Sequence, residues 1–195
     1  GGDHSITFAN VRAFAKKYKN IGMIHFDTHA DCAPQGLTGY KYDHGAHIRR
    51  IMEMGCLKGK NYTLVGPRGY WPGRDLYKWM SDQDFQWFTM LDVEELGIDM
   101  IAKEIADRAN DGTDAVYLSW DIDSFDPAYA PGTGTPEIGG LSTMWMLELL
   151  ENLQGINWIG MDCVEVNPAY DHGQITALAA ATFVWQYLSM IVTKK

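Results

Sequence analysis

No feature of this chain restricts its fold more than the stretch Ala115-Val-Tyr-Leu-Ser-Trp120, which passes without a break into Asp121-Ile-Asp123. A short, largely apolar run of this kind is the signature of a strand buried on both faces. Residues two apart in an extended chain point the same way, so Asp121 and Asp123 present both carboxylates to one side. Paired carboxylates at the end of a buried strand repel, and burying them without a partner is costly, so a cation is required between them. The same arrangement recurs twice. Ile21-Gly-Met-Ile-His-Phe26 ends in Asp27-Thr-His-Ala-Asp31, and Ile156-Asn-Trp-Ile-Gly-Met161 ends in Asp162-Cys-Val-Glu165. Three strands that close on acids place those acids at the carboxyl edge of a parallel sheet, where ligand sites are built.

Helical spacing fills the intervals. Residues 5–18 carry Ile6, Val11, Phe14, Ala15 and Tyr18, with Asp3 or Ser5 as the cap. Helices are also predicted over 45–54, closed by Gly55, and over 75–80, 98–109, 142–153 with Ser142 as cap, and 175–192; further strands are predicted over 62–65 and 85–90. Alternation of strand and helix along almost the whole length predicts one α/β domain over residues 1–195, with a mainly parallel sheet covered on both faces. Gly66-Pro-Arg-Gly-Tyr-Trp-Pro-Gly73 reads as a rigid, turn-rich loop.

With 25 acidic against 16 basic side chains the formal net charge is -9, which argues against nucleic acid as a partner and suits a cationic substrate. Three cysteines, Cys32, Cys56 and Cys163, lack metal-type spacing and read as reduced thiols in a cytoplasm. No membrane span is expected, and the opening Gly1-Gly-Asp-His-Ser5 reads as the start of a fragment that lacks an N-terminal part.

Asp27, His29 and Asp31 alternate, and His4 at the first helix start lies close by; with Asp121 and Asp123 they make two imidazoles and four carboxylates. Six such groups exceed the needs of one open catalytic ion and suit a pair, with Asp27 and Asp121 as bridges. Oxygen-rich ligation with two histidines favours Mn(II), with Ni, Co and Fe left open. Two such ions sharing a water lower its pKa and supply a nucleophile for hydrolysis.

Gly-Gly-Asp-His-Ser (1–5), His-Phe-Asp-Thr-His-Ala-Asp (25–31) and Ser-Trp-Asp-Ile-Asp-Ser-Phe-Asp-Pro (119–127) resemble the metal-binding signatures of the ureohydrolases, the arginase and agmatinase superfamily, and Met-Asp-Cys-Val-Glu-Val-Asn-Pro (161–168) resembles its further C-terminal signature. The resemblance implies a three-layer α/β/α sandwich and two Mn2+ ions. One ion is assigned to His4, Asp27, Asp31 and Asp121, the other to Asp27, His29, Asp121 and Asp123. It further implies that Asp31 assists proton transfer to the leaving amine, that Glu165 pairs with the substrate guanidinium, and that His44 shuttles protons. His47 and His172 keep structural readings. Asp126 reads as turn chemistry ahead of Pro127.

The expected reaction is cleavage of a guanidino compound to urea and an amine. The loop Pro131-Gly-Thr-Gly-Thr-Pro-Glu137 resembles agmatinase-like members, as do Arg49-Arg50 and Arg68-Gly-Tyr-Trp-Pro72, so agmatine giving putrescine is the first substrate. Guanidinobutyrate, guanidinopropionate, proclavaminate-type amidines, guanidine and arginine are the alternatives. An inactive or structural ureohydrolase-like subunit is the reading of another class, and a deacetylase of the related sandwich is a weaker rival. Pro67 and the bulky Trp120 depart from the family pattern and are expected to reshape the pocket. The resemblance also implies a homo-oligomer, trimer or hexamer.

Overall fold

The computed structural model describes residues 1–70 and 73–193; Trp71 and Pro72 of the predicted turn-rich loop lie outside the described residues. Strands β1 (Ile21–Phe26), β2 (Leu57–Val65), β3 (Gln86–Phe88), β4 (Ala115–Asp121) and β5 (Trp158–Val164) form one sheet in the order β3-β2-β1-β4-β5. Every pairing is parallel. The chain starts in the middle with β1, steps outward to β3, and returns to the opposite side of β1 with β4. The sheet therefore has its topological switch point between β1 and β4, and these are its two fully buried strands. In register, Phe26 pairs with both Val65 and Trp120, and Asp121 pairs with Val164. The central strands thus end level, and the turns that leave them lie along one rim.

Helices α1 (Ile6–Phe14), α2 (His47–Glu53) and α3 (Arg74–Asp82) pack on one face, and α4 (Met90–Asn110), α5 (Thr143–Asn152) and α6 (Ile175–Val192) on the other. Each face has its own core. Strand alternation sends Ile24, Phe26, Val116, Leu118 and Trp120 into the core under α4 to α6, while Met23, Tyr62, Leu64 and Tyr117 face α1 to α3. This is the α/β/α sandwich the alternating pattern predicts. Trp120 stacks on Phe183 with ring centroids 4.5 Å apart and on Phe125 at 5.6 Å, and meets Phe26 at a tilt with centroids 5.2 Å apart. It lies on the face opposite Ser119 and does not reach the pocket, so the expectation that its bulk reshapes the site is corrected.

Several boundaries differ from the sequence reading for local reasons. The helix predicted over 98–109 is the second half of α4; its first half begins at Met90 behind a capping box between Thr89 and Asp92, and Gly97, at φ 76°, breaks the axis between the halves. β2 starts at Leu57, five residues before the predicted Tyr62, because Leu57 and Gly59 are buried while Lys58 and Lys60 point outward. β5 is displaced toward the C-terminus of the predicted 156–161, so Asp162 lies inside the strand and Glu165 is the first residue beyond it. Ser142 caps α5 as expected, accepting from the Trp145 amide at 3.1 Å.

The expectation that no apolar run reaches membrane-spanning length fails for α6: the helical stretch His172–Val192 is long and apolar enough by length and composition. Thr176, Ala179, Phe183, Tyr187 and Met190 nevertheless bury one side of it within the protein. Leu178, Trp185, Leu188 and Val192 form an exposed apolar row on the other side.

Candidate metal centre

The site lies at the carboxyl ends of β1 and β4. Asp27 follows Phe26 directly, and its carboxylate folds back to accept from the His29 amide at 2.6 Å. Asp121 repeats the device, accepting from the Asp123 amide at 2.9 Å, and Asp123 stands in a single 3-10 turn. The acids therefore converge because the chain turns at each strand end. Extended alternation, the reason offered by the sequence, does not apply beyond the strands: Asp31 has φ 44°, a left-handed conformation rare for a non-glycine residue. The Thr28 amide joins the two turns by donating to Asp123 Oδ1 at 3.2 Å.

His4 arrives from the turn ahead of α1 and is fully buried. Its Nδ1 lies 3.0 Å from Asp121 Oδ2, 3.1 Å from Asp27 Oδ2 and 3.2 Å from Asp31 Oδ2, yet it has no hydrogen-bond partner among the described residues. Four ligand atoms that close around one point without bonding one another are disposed to share a cation. On the far side of Asp27, His29 Nδ1 lies 3.1 Å from Asp123 Oδ2 and 3.5 Å from Asp27 Oδ1. Two groups able to hold a metal ion result, His4 with Asp27 and Asp31, and Asp27 with His29 and Asp123. Asp27 is common to both, and its two oxygens face opposite ways. Asp121 joins the His4 side through Oδ2.

The electrostatics are those of a cluster short of positive charge. Burial alone would lower His4, but Asp121, Asp27 and Asp31 together lift it well above its ordinary range. His29, likewise opposed by burial, is raised by Asp123 and Asp27 to about 12. Burial and the charge of Asp27 push Asp123 up to about 6 and also raise Asp31. Burial, Asp123 and Asp27 raise Asp121 well above the carboxylate range.

Around the ligand groups stands a buried supporting shell. His4 Nε2 meets Ser119 Oγ at 2.9 Å; Ser119 donates to Asp162 Oδ1 at 2.8 Å, and Thr7 and Tyr117 both donate to Asp162 Oδ2 at 2.7 Å. His25 Nε2 lies 2.9 Å from Asp27 Oδ2 while its Nδ1 meets the Tyr62 hydroxyl at 2.7 Å. At the rim, Glu165 Oε1 accepts from the His4 amide at 2.7 Å, and the Glu165 amide donates to the Gly2 carbonyl. Glu165 has φ 64°. His44, half exposed, lies with Nδ1 3.7 Å from Glu165 Oε1. All eight residues singled out by the sequence, His4, Asp27, His29, Asp31, His44, Asp121, Asp123 and Glu165, thus meet in one region.

Residues 1–189 match the family model described as Arginase family. The chain belongs to the arginase family. It is 40% identical over 188 residues to human mitochondrial guanidino acid hydrolase, covering 96% of this chain and 53% of that protein. It is 41% identical over 198 residues to an agmatinase from Photorhabdus laumondii, covering 100% and 59%. Among solved structures, proclavaminate amidino hydrolase from Streptomyces clavuligerus superposes with a TM-score of 0.89 at 34% identity, covering 97% of this chain and 61% of that one. The chain spans between half and two thirds of the length of these relatives.

Within this arginase-family site, sequence reasoning missed His25 and kept His47 as structural. His25 was accessible to the two-residue rule, since it precedes Asp27 by two at the strand end. His47 is fully buried, its Nδ1 donating to the His44 carbonyl at 2.7 Å, and its Nε2 has no hydrogen-bond partner among the described residues. Burial and the neighbouring His4 and His25 hold it well below the ordinary histidine range. His4, His25 and His47 form a third group of close ligand atoms.

Proposed function

We propose that this arginase-family chain is an amidinohydrolase that cleaves a guanidino compound, agmatine first, to urea and an amine. The observation that carries the reading is His4 Nδ1 held within 3.0 to 3.2 Å of three carboxylate oxygens with no hydrogen bond to any, on a residue whose main-chain amide donates to the Glu165 carboxylate. A pair of Mn2+ ions held by His4, Asp27, His29, Asp31, Asp121 and Asp123 would supply Lewis acidity and make water nucleophilic at neutral pH.

Glu165 binds the substrate. A planar carboxylate meets a planar guanidinium through two parallel hydrogen bonds, and its tie to the His4 amide fixes its distance from the cluster. Water adds to the guanidinium carbon, the bond from that carbon to the alkyl nitrogen breaks, and the departing nitrogen gains a proton. Asp31, whose carboxyl burial and the charge of Asp27 push above its ordinary value, takes that proton from the attacking water and delivers it to the departing nitrogen. His44 stands half exposed at the mouth and exchanges protons with solvent. The names of the relatives, agmatinase and guanidino acid hydrolase, support a guanidino substrate, and the Gly132–Glu137 loop supports the agmatinase-like branch over arginase.

The test is urea release from the Mn-loaded protein over agmatine, guanidinobutyrate, guanidinopropionate, arginine and guanidine. The expected outcome is the highest kcat/KM with agmatine. A different best substrate would replace agmatine while keeping the reaction, and no urea from any compound with metal bound would end the proposal.

A further inference from the structure

Arg68 has no role in the chemistry above, yet its side chain is mostly withdrawn from solvent beside the cluster. Its guanidinium meets no carboxylate among the described residues. It donates to main-chain carbonyls from three segments instead. Nη1 bonds Gly66 at 3.0 Å and Ser124 at 3.2 Å; Nη2 bonds Asp123 at 2.6 Å, Phe125 at 3.0 Å and Glu137 at 2.8 Å; Nε bonds Glu137 at 3.1 Å. The Arg68 amide also donates to the Thr28 carbonyl at 3.2 Å, between Asp27 and His29. One residue in the loop after β2 is therefore tied to the turn carrying His29, the turn carrying Asp123 and the loop ending at Glu137.

Such an arrangement is more than a filled gap. A charged group withdrawn from water and satisfied only by carbonyls keeps its positive charge at the cluster edge. The carbonyls of residues 123, 124 and 125 lie in and just after the 3-10 turn that holds the Asp123 carboxylate, whose Oδ2 lies 3.1 Å from His29 Nδ1. Gly140 packs so closely beside this turn that a Cβ there would lie 2.6 Å from Arg68 Nη2, so the fork fits only against a residue without a side chain. His4 and Asp31, on the other side of Asp27, receive no bond from Arg68. We propose that Arg68 is a positioning residue for one half of the metal pair: it sets Asp123 and His29 for the second cation and leaves the His4 side untouched. This rests on the metal-centre reading above and adds to it an asymmetry between the two ions.

The experiment is Mn2+ binding by equilibrium dialysis, with bound Mn2+ counted by EPR, on the wild type, R68K and R68M, alongside metal-free melting temperatures. The wild type is expected to bind two equivalents. R68M should keep the first within about twofold and weaken the second by about tenfold or more, the scale of lost support around a metal ligand. R68K keeps the charge without the fork and should fall between them. If R68M does not fold, R68K decides by the same criterion, with the second equivalent weakened by about threefold or more. A merely structural arginine would lower the melting temperature while both equivalents weakened together or neither changed, and either pattern overturns the proposal. A wild type that binds no Mn2+ overturns the metal-centre reading as well.

Discussion

At the scale of single residues the rim is governed by His44. Its Nδ1 lies 3.7 Å from Glu165 Oε1 and its Nε2 3.6 Å from Asp43 Oδ1, both longer than hydrogen bonds. Glu165 first, then Asp31 and Asp43, outweigh burial and raise His44 to about 9. An imidazole raised in the folded state binds its proton more tightly there than in the unfolded chain. Its stabilising contribution is therefore complete below the unfolded value of about 6.5 and is lost as pH rises through about 9. With half the ring in solvent the effect is small. Melting the metal-free protein and its His44→Gln variant from pH 6 to pH 10 should show the wild type ahead at the acid end and the two converging at the alkaline end. A pH-independent gap would mean that His44 acts by packing and that its charge has no part. The identity of His44 was legible in the sequence through its resemblance to a family motif. Its charge state was not, because Glu165 is 121 positions away and reaches it only by a left-handed turn after β5.

Among the elements, β4 divides labour between its faces. Ser119 supports His4 on the site side, while Trp120 fills the opposite core between Phe26, Phe125 and Phe183. Trp120→Ala should cost about 3 to 5 kcal/mol by leaving a cavity where that aromatic cluster now packs. Mn2+ affinity should stay within about twofold, because the mutated side chain faces away from the ligands. Urea denaturation and metal titration of the same sample check both halves, and a large loss of affinity in a folded variant would mean that the two faces are coupled. The same strand shows why the fold was so legible. β1 and β4 are continuous apolar runs closed by acids, and each ends where the pattern ends. The first half of α4 was missed although its capping box is visible as Thr89-Met-Leu-Asp92, because the aromatic run ahead of it extended the predicted strand to Met90. The ligands were legible because they come in local pairs, at 27 and 29 and at 121 and 123. The bonds from Arg68 to residues 123–125 and 137 span 55 to 69 positions and leave no local trace.

For the molecule as a whole, the sheet order β3-β2-β1-β4-β5 is what assembles the site. β1 and β4 are neighbours in space but separated in sequence by two strands, and only the completed sheet brings Asp27 and Asp121 to one rim. His4, Asp27, His29, Asp31, Asp121 and Asp123 are therefore scattered in the unfolded chain, which has no comparable site. Metal should bind the folded state alone and raise stability by RT ln(1 + [M]/Kd), about 2.7 kcal/mol per site at a hundredfold excess over Kd. For a chain of this size that corresponds to a melting temperature about 5 to 10 °C higher. Asp27→Asn removes the carboxylate common to both ligand groups and should abolish most of the rise while sparing the metal-free fold. The check is thermal melting of both proteins with EDTA and with Mn2+. A variant that gains as much as the wild type would show that the ion binds elsewhere. A wild type that gains nothing would mean that six gathered donors are held by protons and hydrogen bonds alone.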